Sequence, residues 1–379
     1  MGKGERFPAE WRAARDRATG VEVRQLTSHL GHSHHLYFTN AGWYDGGRRL
    51  LFASDRCGRT NLYGLDLESG EITQLTDHDL PPRGMSVSGR RDEAYFWRGR
   101  ELVALDLASL EERALCQVPS GTRPGNTNVT ADGEWVCTGL QEDLSDRFEI
   151  DLAHGYVGFH ELWEARPLCR VARVSVATGE MEVVHEERVW ITHVNTSPAL
   201  PSLLTYCHEG PWYRVDQRIW GLDLADGRTW PIRPQEPGER VGHEFWLADG
   251  ERVAYQGWDA AGAHFFGSVR HDNAGREELP FPHGSMHFHS NDLGLVVGDG
   301  SRTYQHLLLW RRRGGRFEGP KLVHTHRGSF QCQEVHVHPR FSPDGRKIIF
   351  TSDARGYGNV YAIDVPDFDR LPDASAPPG

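Results

Sequence analysis

Gln333, His336 and His338 bring one amide and two imidazoles into a short stretch just ahead of the turn sequence Pro343-Asp-Gly345. In an extended chain alternate side chains point the same way, so the two imidazoles would share a face with Cα atoms about 6–7 Å apart. Such a pair can hold one divalent ion, with the Gln333 amide oxygen as a further donor. It can also serve only as hydrogen-bonding groups at the start of a strand. Three other residues carry similar potential. His243 precedes Glu244-Phe-Trp246, Arg218 lies between Asp216 and Trp220, and His287 opens the sequence His287-Phe-His-Ser-Asn291.

What must position these residues is an internal repeat. One copy reads Phe341-Ser-Pro-Asp-Gly-Arg-Lys-Ile-Ile-Phe-Thr-Ser-Asp353, followed by Asn359-Val-Tyr-Ala-Ile-Asp364. Another reads Tyr44-Asp-Gly-Gly-Arg-Arg-Leu-Leu-Phe-Ala-Ser-Asp55, then Asn61-Leu-Tyr-Gly-Leu-Asp66, then Ser69-Gly-Glu-Ile-Thr-Gln-Leu-Thr76. Weaker copies start near Val87, Val129, Asn195, Phe245 and Asn291. Each copy supplies about four short strands, which is one propeller blade.

Seven copies predict an all-β fold, a single seven-bladed β-propeller spanning 1–379 with its core at about 20–366. Residues 1–15 and 368–379 are expected to be peripheral. The last copy ends near Val365 with three strands. The sequence Gly20-Val-Glu-Val-Arg-Gln-Leu-Thr27 matches the closing strand of the first copy, so an N-terminal strand is expected to close the last blade and remove its exposed edge.

The 21 histidines follow the repeat phase, concentrating at 29–35, 193–208, 243, 283–289 and 324–338. In a propeller the loops leading into the innermost strands converge on one face. His34, His193, His243, His287 and the 336/338 pair are therefore expected to aim at one funnel. Asp66, Asp223, Asp353 and Asp364 recur at turns and strand ends and read as structural.

Composition excludes several function classes. A formal net charge of −11 argues against nucleic acid and anionic membrane surfaces, which need a basic field. No window approaches the length of an apolar span, and the polar N-terminal stretch has no apolar signal region. The six cysteines lack CxxC or framework spacing and read as reduced thiols, so the expected setting is cytoplasmic.

Several segments resemble the oligogalacturonate lyases, manganese-using seven-bladed propeller enzymes of pectin breakdown. They are Cys207-His-Glu-Gly-Pro-Trp-Tyr-Arg-Val-Asp-Gln-Arg218, His243-Glu-Phe-Trp-Leu-Ala-Asp-Gly250, and His287-Phe-His-Ser-Asn291 with Val296-Val-Gly-Asp-Gly300. Gln333-x-x-His336-x-His338-Pro339 with Phe350-Thr-Ser-Asp353 completes the set. The resemblance runs over nearly the whole chain in register with the blades. It implies that Gln333, His336 and His338 are metal ligands and His287 the fourth, with His289 its close neighbour. It further implies that His243 is the Brønsted base and that Arg218 neutralises substrate charge. His34, His193 and His208 are the remaining candidates for substrate contact. Manganese is the metal implied, although such an N/O donor set also accepts Zn²⁺, Ni²⁺ or Fe²⁺. There are two departures. The family's H-R-N-Y-F is His34-His35-Leu36-Tyr37-Phe38 here, and the segment after Gly300 is shorter, which leaves the identity of the uronide open.

These residue types suit β-elimination from an oligosaccharide uronide. The C5 proton is barely acidic because the adjacent carboxylate is already negative. A divalent cation and an arginine withdraw that charge, and a histidine can act as base near neutral pH. Competing readings are a non-catalytic propeller binding module and an epimerase or hydrolase on the same platform. No G-x-S-x-G nucleophile elbow follows the seventh repeat. An absorbing C4=C5 double bond in the product separates the lyase from both alternatives.

Overall fold

The computed structural model describes residues 2–374, so Met1 and residues 375–379 of the expected peripheral segments lie outside the described residues. The fold is the expected seven-bladed β-propeller, built as two compact units. One comprises residues 1–81 and 279–379, the other 82–278.

The first unit contributes three sheets. The repeat at 341–364 forms the strands Arg340–Phe341, Lys347–Ser352 and Asn359–Asp364. Its missing member is Glu22–Gln25, which pairs antiparallel with Asn359–Asp364 through Val23↔Ile363 and Gln25↔Tyr361. The expected N-terminal closure is therefore present. Lys347–Ser352 is buried along its length after the first residue, with Ile348, Ile349 and Phe350 consecutive rather than alternating with polar residues. Its Ile348 and Phe350 pack with Val23, Phe341, Tyr361 and Ile363 in one core cluster. Each such side chain contributes about 1.5–3 kcal/mol on burial.

The terminal segments are more engaged than expected. Arg6–Phe7 pairs with Ile72–Gln74, and Arg12–Arg15 pairs with Glu22–Gln25, so each adds an outer strand to a blade. Glu10 between them accepts from Ser28 N–H at 2.6 Å and forms an ion pair of 2.8 Å with the buried Arg56. At the other end Phe368 and Leu371 are buried in the cluster that holds Phe350. Apolar residues at 7, 368 and 371 gain by covering blade edges that would otherwise face water.

The second unit contributes four sheets in simple meander order. Their four innermost strands are Pro82–Ser88, Thr122–Val129, Ile191–Thr196 and Arg240–Trp246. Every one carries a register shift in which two residues oppose one on the neighbouring strand. Bulges of this kind re-aim side chains and frequently border active sites. Gly84, His193 and His243 sit at these shifts with φ of 61°, 50° and 52°. Glycine adopts that conformation freely, whereas histidine pays for it.

A short helix, Phe159–Ala165, interrupts the otherwise all-β chain. Its Trp163 packs so closely under Gly210 that a Cβ there would lie 2.2 Å from the indole. The loop after His208 is thereby braced. Asp66 and Asp223 accept backbone N–H groups at their turns, and Asp353 anchors Ser329, which makes them structural as expected. None of the six cysteines is in a disulfide, and no helix among the described residues is long and apolar enough to cross a membrane.

Candidate active site

In the first unit His287, His336 and His338 are all buried, and each offers a ring nitrogen within 4.8 Å of the others'. The local backbone differs from the extended strand expected for 333–338. Gln333–Val335 is a single 3₁₀ turn whose first carbonyl accepts from His336 N–H at 3.3 Å. His336 is then extended, and His338 has a φ of 43°. The rings of 336 and 338 meet, with centroids 5.4 Å apart, because of this turn and left-handed residue rather than strand alternation.

Two neighbours fix the triad. Asp299, fully buried, accepts the His287 backbone N–H at 2.8 Å and lies 2.6 Å from its Nδ1. Burial raises the Asp299 pKa, but His287 and the Ser285 hydroxyl outweigh that and hold it below the usual carboxylate range. Nδ1–H is thus given to Asp299, a tautomer that places the ring's lone pair on Nε2. His35 performs the second service. Its Nε2 donates to the carbonyl of His338 at 2.8 Å, and its Nδ1 accepts from the Thr351 hydroxyl at 2.7 Å.

The donors fit a metal. Burial, reinforced by His287, brings the His336 pKa down to about 4, so the ring is neutral and available. Its Nδ1 is buried without a hydrogen-bond partner. His289, the neighbour of His287, is not in the triad: its Nδ1 accepts from Phe341 N–H at 3.3 Å. His34 lies outside it too, half-buried with Nδ1 3.3 Å from the His35 carbonyl.

The second unit gathers a different cluster. Arg218, expected to meet substrate charge, has a side chain only 3% exposed and sits between Glu209 at 2.8 Å and Glu244 at 3.1 Å. Burial works against its charge, but the surrounding acidic groups more than offset this and hold it protonated. Burial likewise works against Glu209 and Glu244, and Arg218 and His193 keep both ionised. His193 Nδ1 is 3.2 Å from Glu244. Asp216, the sequence neighbour, forms no part of this network.

His243 stands at the edge of the cluster. Gln256 contacts its Nδ1 at 2.8 Å and also reaches His264 Nε2 at 3.2 Å. The Trp212 ring meets the imidazole edge-on at 5.0 Å and lies under the Arg218 guanidinium at 5.5 Å. This approach depends on Gly242, where a Cβ would fall 2.4 Å from the Trp212 ring. His208, expected among the substrate contacts, turns elsewhere. It pairs with Glu187 at 2.8 Å beside the Trp220 ring. Burial raises the Glu187 pKa, but His185 and His208 outweigh it and bring it to about 2.

The oligogalacturonate lyase family model matches residues 1–307. The chain belongs to the oligogalacturonate lyase family. An oligogalacturonide lyase of Pectobacterium atrosepticum is 29% identical over 394 residues, covering 97% of this chain and 99% of the relative. An oligogalacturonate lyase of Dickeya dadantii is likewise 29% identical over 97% of this chain and 99% of the relative. Among solved structures, an oligogalacturonate lyase in complex with manganese superimposes with a TM-score of 0.88 at 29% identity, covering 97% of this chain and 99% of that one. An oligogalacturonate lyase from Vibrio parahaemolyticus gives 0.86 at 27% identity, covering 96% and 99%.

Oligogalacturonate lyases are carbon–oxygen lyases, and the family therefore consists of enzymes. Three residues of this family member escaped the sequence reading as functional groups: Asp299, His35 and Glu244. Asp299 lies in the Gly298-Asp-Gly300 run, and an acid in the segment that follows the His287-Phe-His-Ser-Asn291 motif was the available signal. Nothing in the sequence marks His35 as the prop for His338.

Proposed function

We propose that this protein is a metal-dependent lyase of short oligogalacturonides, breaking the C4–O bond by β-elimination. The single observation that carries the reading is the buried triad His287, His336 and His338, in a chain of the oligogalacturonate lyase family. Manganese is the proposed ion, because a related lyase is described with it. The three imidazoles hold it, and Gln333 supplies a fourth donor. When bound, the ion draws charge from the uronate carboxylate and makes the neighbouring C5–H more acidic.

His243 is the proposed base. Its φ of 52° at a bulge turns it out of the strand ladder, and Gln256 anchors Nδ1, so Nε2 is the proposed proton acceptor. A lone pair on Nε2 requires Gln256 to present its oxygen to Nδ1–H, an arrangement reached by rotating the amide. His193 contributes through Glu244 and Glu209. Arg218 keeps those two carboxylates compensated and supports Trp212 against His243. A direct contact between Arg218 and the uronate requires one of its two acidic partners to yield.

The test is incubation of manganese-loaded protein with di- and trisaccharide uronides of differing sugar and linkage. Formation of an unsaturated product from galacturonides supports the reading. Saturated, epimerised or hydrolysed products would replace it.

A further inference from the structure

Two arginines stand beside the histidine triad in the same construction. Arg340, two residues after His338, donates from Nη1 to the carbonyl of Phe38. The Phe38 ring packs on His287 and His338 with centroid separations of 5.5 and 6.1 Å. Arg302 donates from Nη2 to the carbonyl of Phe330 at 2.6 Å. The Phe330 ring lies 5.4 Å from that of His336. Each guanidinium is thus tied by a backbone carbonyl to an aromatic residue that itself touches the triad.

Neither arginine forms an ion pair with an aspartate or glutamate among the described residues. This contrasts with Arg218, Arg233 and Arg311, each of which holds two carboxylates. The chain carries 53 acidic residues against 42 basic ones, so a counter-charge was abundant and is missing at this place. Arg340 is half-buried and Arg302 exposed. A guanidinium has five N–H donors in a fork that matches a carboxylate, and one backbone carbonyl leaves most of them available. Arg340, half withdrawn from water with only a carbonyl as partner, carries a desolvation cost that an anionic ligand relieves, and Arg302 presents its fork to solvent.

We propose that Arg302 and Arg340 are carboxylate-binding residues for uronate units adjoining the one held at the triad. The site thereby selects oligomers with carboxylates on successive sugars. This rests on the triad being the point where the reacting uronate binds.

Calorimetric binding of trigalacturonate to manganese-loaded protein tests it, in a His243→Ala background that suppresses turnover. Arg302→Gln and Arg340→Gln should each weaken binding by about 10-fold or more, the scale of a charge-assisted pair. Metal content should stay unchanged. Fully methyl-esterified trigalacturonate should bind weakly to the parent and to both variants alike. Variants that bind the free acid as tightly as the parent would overturn the proposal. If Arg340→Gln does not fold, the parent alone decides, because equal affinity for the ester and the free acid also overturns it. Binding is read without turnover, so a protein that discriminates these ligands but yields no unsaturated product would retire the lyase reading and leave this one standing.

Discussion

His35 Nε2 donates to the carbonyl of His338 across 2.8 Å, while Thr351 holds the other ring nitrogen. His338 has a left-handed backbone that costs on the order of 1–3 kcal/mol for a non-glycine residue. A buried hydrogen bond to its carbonyl is what keeps a donor histidine in that conformation. His35→Leu should therefore weaken manganese binding while His336 and His338 remain in place. Metal titration of the purified variant checks this, and wild-type affinity would show that the conformation needs no such prop.

Asp299 acts on the triad from the other side. Asp299→Asn keeps the shape but removes the carboxylate that fixes the His287 tautomer. Loss of such a partner typically costs about 10–100-fold in metal affinity. Competition with a chelator measures it directly.

His243→Ala should lower turnover by about 10²–10⁴, the range for loss of a general base, with metal content intact. Elemental analysis alongside initial rates separates this from an indirect loss of the ion. Near-normal turnover would point to another base, with His193 next in line because it borders the same carboxylates.

Arg218→Lys should lower activity and melting temperature together, since an ammonium cannot bridge Glu209 and Glu244 as the guanidinium does. Arg218→Met should cost about 3–5 kcal/mol, the scale for stranding a buried partner charge. An Arg218→Lys protein that melts normally but is inactive would instead assign the guanidinium to the substrate.

Acid should destabilise the metal-free protein over a defined window. Burial brings the pKa of both His35 and His326 to about 4. In each ring one nitrogen donates to a carbonyl and the other accepts, so the folded form needs the neutral imidazole. A depressed folded pKa gives stability that is fully present above the ordinary value near 6.5 and is lost as pH falls toward 4. Melting temperature followed across that interval should fall steadily, and His326→Gln should flatten the slope.

The propeller was legible because its signal is repeated. Seven copies of one turn-and-strand pattern average out local ambiguity, and the Gly20–Thr27 segment shares Glu and a terminal Gln-Leu-Thr with the closing strand of the first copy. The triad was legible only as residue types. Alternation along an extended strand suggested that His336 and His338 meet, and they do meet, but through a 3₁₀ turn and a left-handed residue. The bulges that carry His193 and His243 have no local sequence signature, because they arise from the register between neighbouring strands. Arg218 shows the same limit. Glu209 is brought to it by pairing of Leu203–His208 with Ile219–Asp223, and Glu244 comes from a strand of the next sheet, so neither partner is legible from the residues beside Arg218. Residues 1–15 lacked the repeat pattern, and only the exposed outer edges of two blades explain why Arg6–Phe7 and Arg12–Arg15 become strands.

The most direct test follows the ultraviolet absorbance of a C4=C5 double bond in digalacturonate incubated with purified protein. The protein is first stripped of metal with a chelator and then resupplied with Mn²⁺. The expected result is no absorbance increase after stripping and a rapid increase on resupply, with His336→Ala silent under both conditions. Equal rates with and without metal, or no unsaturated product from the manganese-loaded protein, would contradict metal-dependent β-elimination at the His287–His336–His338 triad.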